Sequence, residues 1–286
     1  MKGFKAFNKD MKCHGFQYEE GKTYEFPRAI VCQEGAHFCI NPLDCLNYYD
    51  LVSSEFHEVE SLPDAKTQKN TDDSKVSTTK IKIGARLGIK GFVEAAVNFL
   101  LENSTQFIRG IESELAASGD YPKLAASGDY SKLAASGDCS KLAASGKCSK
   151  LAASGDSSSL AASGDYSKLA ASGYSSSLAA SGYYSKLAAS GDSSKLAASG
   201  KCSKLAASGD YSKLELNGQD SVGANIGMKG IIKGKTGNWI TLAEWKYDQD
   251  IDRHTPICVK SAQIDGKTLK EDVWYTLKKG AFVEVE

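Results

Sequence analysis

The chain has little that would make it a highly charged or membrane-bound molecule. Among its 286 residues, 35 basic and 35 acidic side chains cancel to a formal net charge of zero. The molecule as a whole therefore shows neither the basic excess of a nucleic-acid binder nor the deficit of an acidic mimic, and any electrostatic signal must be local. No stretch reaches the roughly 18 apolar residues needed to span a bilayer, and the opening MKGFKAFNKD lacks the apolar core of a secretory signal. A cytoplasmic protein with no membrane partner is expected. Without an export signal, its eight cysteines are expected to stay as thiols rather than form disulfides. There is also no phosphate-binding loop, no G-x-G-x-x-G after a strand and no serine elbow, which removes the most recognisable nucleotide and hydrolase chemistries.

What the chain does have is a phrase of nine residues, SGDYSKLAA at 127–135, repeated with variations over residues 115–214. Leu recurs at 115, 124, 133 and every ninth position to 214 without a slip. A helix would place each ninth residue half a turn out of phase, and a Gly in every phrase would weaken it by about 1 kcal/mol. Read as a strand, S-K-L-A-A puts Ser, Leu and the second Ala on one face, and Lys and the first Ala on the other. The Gly is expected to let the backbone corner, with Asp or Ser bonding nearby backbone groups. Stacked copies would bury a ladder of leucines, each contributing about 1.5–3 kcal/mol. One phrase is too short to enclose an interior, so the expectation is a β-solenoid with two phrases per coil: about six coils at roughly 4.8 Å each, a rod near 29 Å long. Disorder is the competing reading of a Ser- and Gly-rich tract, but a mere linker has no reason to keep its leucines in register.

With two phrases per coil, substitutions fall into two columns. Before Leu, one column reads Lys132, Lys150, Lys168, Lys186 and Lys204; the other reads Lys123, Lys141, Ser159, Ser177, Lys195 and Lys213. After Gly, the first column has Asp129, Lys147, Asp165, Tyr183 and Lys201, and the next position adds Tyr130, Cys148, Tyr166, Tyr184 and Cys202. The first edge thus carries a charge of +5 and the second −1. Lys132, Lys150, Lys168, Lys186, Lys204, Lys147 and Lys201 with Tyr130, Tyr166 and Tyr184 form the candidate binding edge, since lysines interleaved with aromatics suit a polyanion or an acidic protein surface. The plainer reading is that duplication of an eighteen-residue unit copied the alternation, and that lysines merely keep a β-edge soluble.

The flanks have globular composition. Residues 1–110 read as an α+β domain: aromatics alternating in short strands, a helix turn at NPLDCLNYYDL, a surface loop at 61–75, strands in KVSTTKIKIGARLGI, and a capping helix in GFVEAAVNFLLENSTQFIRGI. Residues 111–216 are the solenoid. Residues 217–286, which hold Trp239, Trp245 and Trp274, read as a small antiparallel β domain, so the fold class is mainly β. The repeat has one Gly per phrase where a calcium β-roll needs G-G-x-G-x-D, and no Thr for an ice-binding face. Cys13, His14, Cys32, His37, Cys39 and Cys45 offer enough ligands for zinc, but not in C-x-x-C spacing. Buried thiols and a hydrogen-bonded His account for them equally, so neither metal nor cofactor is expected. An enzyme using His37 and Cys39 stays an alternative, although no catalytic signature surrounds them.

The stretches MKGFKAFNKDMKCHGFQYEEGKTYE, CQEGAHFCINPLDCLNYYD, DDSKV, GNWITLAEW, DVWYTL and FVEVE resemble an uncharacterised family of phages, prophages and gut bacteria. It is similar over about 180 residues in two flanks around a variable repeat. That family typically reads KCRGFQYE where this chain has KCHGFQYE at 12–19. The resemblance implies a phage-borne accessory protein, and such proteins often bind and block host machinery. The expected function is accordingly that of a non-enzymatic, host-directed inhibitor, for instance of a defence nuclease complex, whose partner is a host protein or protein–RNA complex. Direct nucleic-acid or polyanion binding is the alternative. A solenoid end or small-residue face invites self-pairing, so a homodimer is expected.

Overall fold

In a computed structural model, which describes residues 1–70, 73–103, 106–108 and 110–285, strands eighteen residues apart lie side by side and parallel. Lys132–Ala135 pairs with Lys150–Ala153, and Lys123–Ala126 with Lys141–Ala144, each residue opposite its own copy. Two phrases therefore make one coil, and the chain winds a β-solenoid of about seven turns over residues 114–242. Its strands alternate between two sheets. The first holds Lys123–Ala126 and every second strand after it to Ile231–Gly234; the second runs from Glu114–Ala117 to Trp239–Asp248. Leu and the second Ala of each phrase point inward, and the leucines from Leu124 to Leu214 are all but fully buried.

The stacking distance explains the glycine, and not as the sequence suggests. From Gly128 onward the glycine of each phrase does not make the corner. From Gly146 to Gly209, an added Cβ would stand 2.0–2.3 Å from the carbonyl oxygen of the glycine one coil earlier. The left-handed corner falls two residues later, on side chains that seldom adopt it: Tyr130 (φ 59°), Cys148 (57°), Tyr166 (59°) and their equivalents. The next coil holds it there, for Tyr130 N donates to Lys147 O and Tyr166 N to Tyr183 O, both at 2.8 Å. Asp and Ser act as the sequence suggests. Asp156 Oδ1 accepts from the amide of Tyr174 at 2.7 Å, one coil on. From Ser131 to Ser203 the buried serine before the strand donates to the carbonyl of the glycine three residues back, as Ser167 does to Gly164 at 2.7 Å.

The winding continues past the strict phrase. Val222–Asn225 and Ile231–Gly234 occupy the positions of S-K-L-A-A strands, and Trp239–Asp248 completes the last turn. Antiparallel strands then extend both sheets: Arg253–Gln263 beside Trp239–Asp248, and Trp274–Lys278 with Ala281–Val285 beside Ile231–Gly234. The antiparallel C-terminal region is thus built directly onto the solenoid sheets.

The chain divides into two units, Met1–Phe99 and Leu100–Glu286. The first is a seven-stranded antiparallel sheet in the order Thr23–Glu25, Lys80–Leu87, Glu55–Ser61, Lys2–Phe7, Ala36–Cys39, Lys75–Thr78 and Thr67–Lys69. Phe7, Phe38, Val76, Ile81 and Ile83 form its core. Helix α1 (Ile89–Asn103) sets Phe92 against Phe56 with ring centroids 4.5 Å apart. The helix turn at NPLDCLNYYDL is a 3-10 turn, Pro42–Asn47. The loop expected over 61–75 instead carries the short strand Thr67–Lys69, hydrogen-bonded to Lys75–Thr78; its residues 71 and 72 lie outside the described residues, as do 104, 105 and 109 of the segment expected as a capping helix. Among the described residues no helix is long and apolar enough to cross a membrane.

If coil approach sets the glycine, Gly173→Ala should lower stability by about 1–3 kcal/mol in denaturant unfolding, because its methyl would meet a backbone carbonyl that cannot move alone. Asp156→Ala, which only removes an inter-coil hydrogen bond, should lose about 0.5–1.5 kcal/mol.

Candidate binding surface

On the second sheet, strand alternation sends Lys132, Lys150, Lys168, Lys186 and Lys204 outward, and all five are exposed. Each lies directly opposite the next in the parallel ladder, so the ammonium groups form one straight row rising about 4.8 Å per coil. Lys132 is paired with Glu114 at the end of the row. Two residues along each strand lies a parallel row of exposed alanines, Ala134 to Ala206, and beyond it a row of exposed serines, Ser136 to Ser208. Small side chains leave two shallow grooves along the axis, of about 1010 Å³ beside the lysines and about 970 Å³ beside the serines.

The structure divides the ten candidate residues between two walls. The five strand lysines occupy the flat sheet face, whereas Lys147, Lys201, Tyr130, Tyr166 and Tyr184 lie on the turns leading into those strands. In the turn wall, Tyr166 and Tyr184 stack with centroids 5.1 Å apart and planes 5° from parallel. The tyrosines are about half exposed, and the ring of Tyr130 is separated from that pair by Cys148, which takes the intervening coil. Two of the acidic residues in this wall are engaged: Asp129 accepts from Lys147 N at 2.7 Å and Asp165 from Tyr183 N at 2.8 Å.

Strict phrase counting missed where the face ends. The lysine row continues, residue opposite residue, into Val222 and then Trp239, both exposed. Val259, paired with Ala243, and Ile257 add further exposed apolar surface on the adjoining strand. The signal was present in SVGAN at 221–225, which keeps the phase of SKLAA after its lysine and leucine are gone.

In the N-terminal unit, among the described residues, no group of three or more His, Cys, Asp or Glu side chains is placed to hold a metal ion. His37 Nε2 accepts the amide hydrogen of Cys32 at 3.0 Å, and burial lowers the pKa of the imidazole. Cys39 is hydrogen-bonded to Cys45; that bond and burial push its thiol well above the ordinary range, which keeps it protonated and a poor nucleophile. Cys13 lies instead beside Lys5 and Tyr49. The cysteines are free thiols.

Residues 1–95 match a protein family described as a domain of unknown function, DUF7666. The N-terminal unit therefore carries a domain of an uncharacterised family, and the match ends before the solenoid begins. No curated protein and no solved structure matches the chain.

Like charges directly opposite one another in a ladder destabilise it, and salt screens exposed charges. The melting temperature should therefore rise between about 20 mM and about 0.5 M sodium chloride. The fivefold variant with Ser at 132, 150, 168, 186 and 204 should melt higher at low salt and lose that dependence. Ser159 and Ser177 already occupy the equivalent strand positions of the first sheet, so serine is compatible with the coil.

Proposed function

We propose that the chain is a non-enzymatic binding scaffold whose contact surface is the lysine-lined face of the second sheet together with the tyrosine-bearing turn wall beside it. One observation supports this reading above the others: five exposed lysines stand in register in a single row, with Glu114 paired to the first. An acidic surface laid along that row would relieve its self-repulsion, and the alanine row beside it lets a flat partner approach closely. The resemblance of the flanking sequences to a phage family supplies the class of partner: a host protein or protein–RNA complex, such as a defence nuclease complex, bound and blocked in the host cytoplasm. Catalysis at His37 and Cys39 is disfavoured by a ring nitrogen already occupied and a thiol held protonated.

A second reading, direct binding of single-stranded nucleic acid, draws on the stacked pair Tyr166 and Tyr184 beside Lys147 and Lys201, since bases stack on exposed aromatic faces in basic grooves. One experiment separates the two. The tagged chain and its fivefold Lys→Ser variant are passed over host lysate, with and without nuclease treatment, and over single-stranded DNA resin. The scaffold reading expects a protein component retained at about 0.15 M salt, insensitive to nuclease and lost with the variant. The nucleic-acid reading expects retention on the resin, with a log–log salt slope of up to about −3.5 if all five lysines neutralise phosphates. Equal retention by chain and variant throughout would overturn both. Sedimentation of the same preparations checks the proposed homodimer.

A further inference from the structure

The N-terminal unit contains a cavity of about 440 Å³, within the range of small-molecule sites. One wall is made by Lys5, on strand Lys2–Phe7, and by Cys13 on the short strand that follows it. Lys5 is only 4% exposed. Its Nζ donates to His37 O at 2.9 Å, lies 3.5 Å from Cys13 Sγ, and sits over the rings of Phe7 and Tyr18 at 5.3 and 5.4 Å from their centroids. An ammonium has three donors; a carbonyl takes one here and a thiol sulfur is a weak acceptor for a second.

Among the described residues the ammonium of Lys5 makes no ion pair with a carboxylate, and no Asp or Glu lines the cavity. A buried cation is costly unless it is paired. Lys75 adds a second ammonium to the lining, while Asp73, which accepts from the Tyr48 hydroxyl and is attracted to Lys75, stands outside it. The Nζ of Lys75 lies 3.8 Å from the ring centroid of Tyr48. Burial first, and then the charges of Lys5, Lys75 and His14, keep His37 below its ordinary pKa. The phenols nearby stay protonated: burial raises both Tyr18 and Tyr49, and Tyr49 Oη lies 2.9 Å from Cys13 Sγ. Part of the remaining lining is aromatic, with Phe16 packed at 4.8 Å from Tyr18 and 5.7 Å from Phe26 between centroids.

We propose that this cavity binds a small organic anion, its phosphate or carboxylate head met by Lys5 and attracted by Lys75, and its aromatic body packed against Phe16 and Phe26. The site is separate from the solenoid face and does not depend on it. The head group supplies a counter-charge and an acceptor for the remaining N–H, while the ring replaces water against the aromatic wall.

Calorimetric titration of the full chain with phenyl phosphate, benzoate, inorganic phosphate and benzyl alcohol tests the proposal, with the ring-proton resonances of His37 followed in parallel. At least one aromatic anion should bind about tenfold more tightly than inorganic phosphate or benzyl alcohol and should shift the His37 signals; which one binds assigns the head group. Lys5→Met should abolish binding and Lys75→Gln should weaken it about tenfold. Should Lys5→Met fail to fold, Lys75→Gln, at a half-buried position, decides the matter. The proposal is overturned if neither aromatic anion binds or moves His37, or if Lys75→Gln binds as well as the unmodified chain. The fivefold lysine variant of the solenoid face should keep full affinity, so that loss of the scaffold reading and loss of this one can be told apart.

Discussion

The structure of the repeat depends on how closely one coil lies upon the next. From Gly128 onward the backbones at each phrase's glycine approach until no Cβ fits between them, and that approach brings the strands into register with their copies eighteen residues away. Register then determines the rest. It stacks the leucines into a buried ladder on each sheet, aligns aspartates such as Asp138 and Asp156 to accept the amide one coil on, and closes the left-handed corner by an amide-to-carbonyl bond between coils. A phrase with a bulkier residue in place of glycine would lose all of these together, because none is available to a coil held further away.

The same register that makes the core also spaces the surface. Side chains on the second sheet repeat at the strand spacing, so lysine, alanine and serine form straight rows rather than patches. A row of like charges is unfavourable in isolation. It persists because the buried leucines and inter-coil hydrogen bonds fix the backbone regardless of what the outward positions carry. Outward residues are consequently free to vary, and the turn wall shows it: Asp, Lys and Tyr alternate after the glycine with no change in winding. The N-terminal unit works by a different logic. There an antiparallel sheet encloses one buried ammonium among aromatic rings, so its chemistry is concentrated at a point rather than spread along a line.

Much of the solenoid was legible because its nine-residue period fits no helical stripe and holds without a slip. Leu at every ninth residue excluded helix, and the alternation within SKLAA gave the inward and outward faces directly. The glycine was misread because sequence reports a residue's conformational freedom more readily than its neighbours: the residues that take positive φ are Tyr, Cys and Ser, which no propensity argument would select. The end of the winding was obscured where Val222 and Gly223 replace Lys and Leu while the phase persists. In the N-terminal unit the cysteines and histidines drew attention by their chemistry, yet the residue that stands out in the structure is Lys5, an ordinary lysine in KGFKAF until the fold encloses it. Burial of a single charge depends on partners from 13, 18 and 37, which no local pattern brings together.

Because successive phrases alternate between sheets, the solenoid has a parity. Adding or losing an eighteen-residue unit between two coils lengthens or shortens the molecule by one turn and leaves each wall's chemistry in place. Adding or losing a single nonapeptide instead exchanges the two walls for everything downstream, so that lysines from one side would continue as the serines of the other. The chain can thus change length in whole turns without disturbing its faces, while a half-turn change preserves the fold and scrambles the surface.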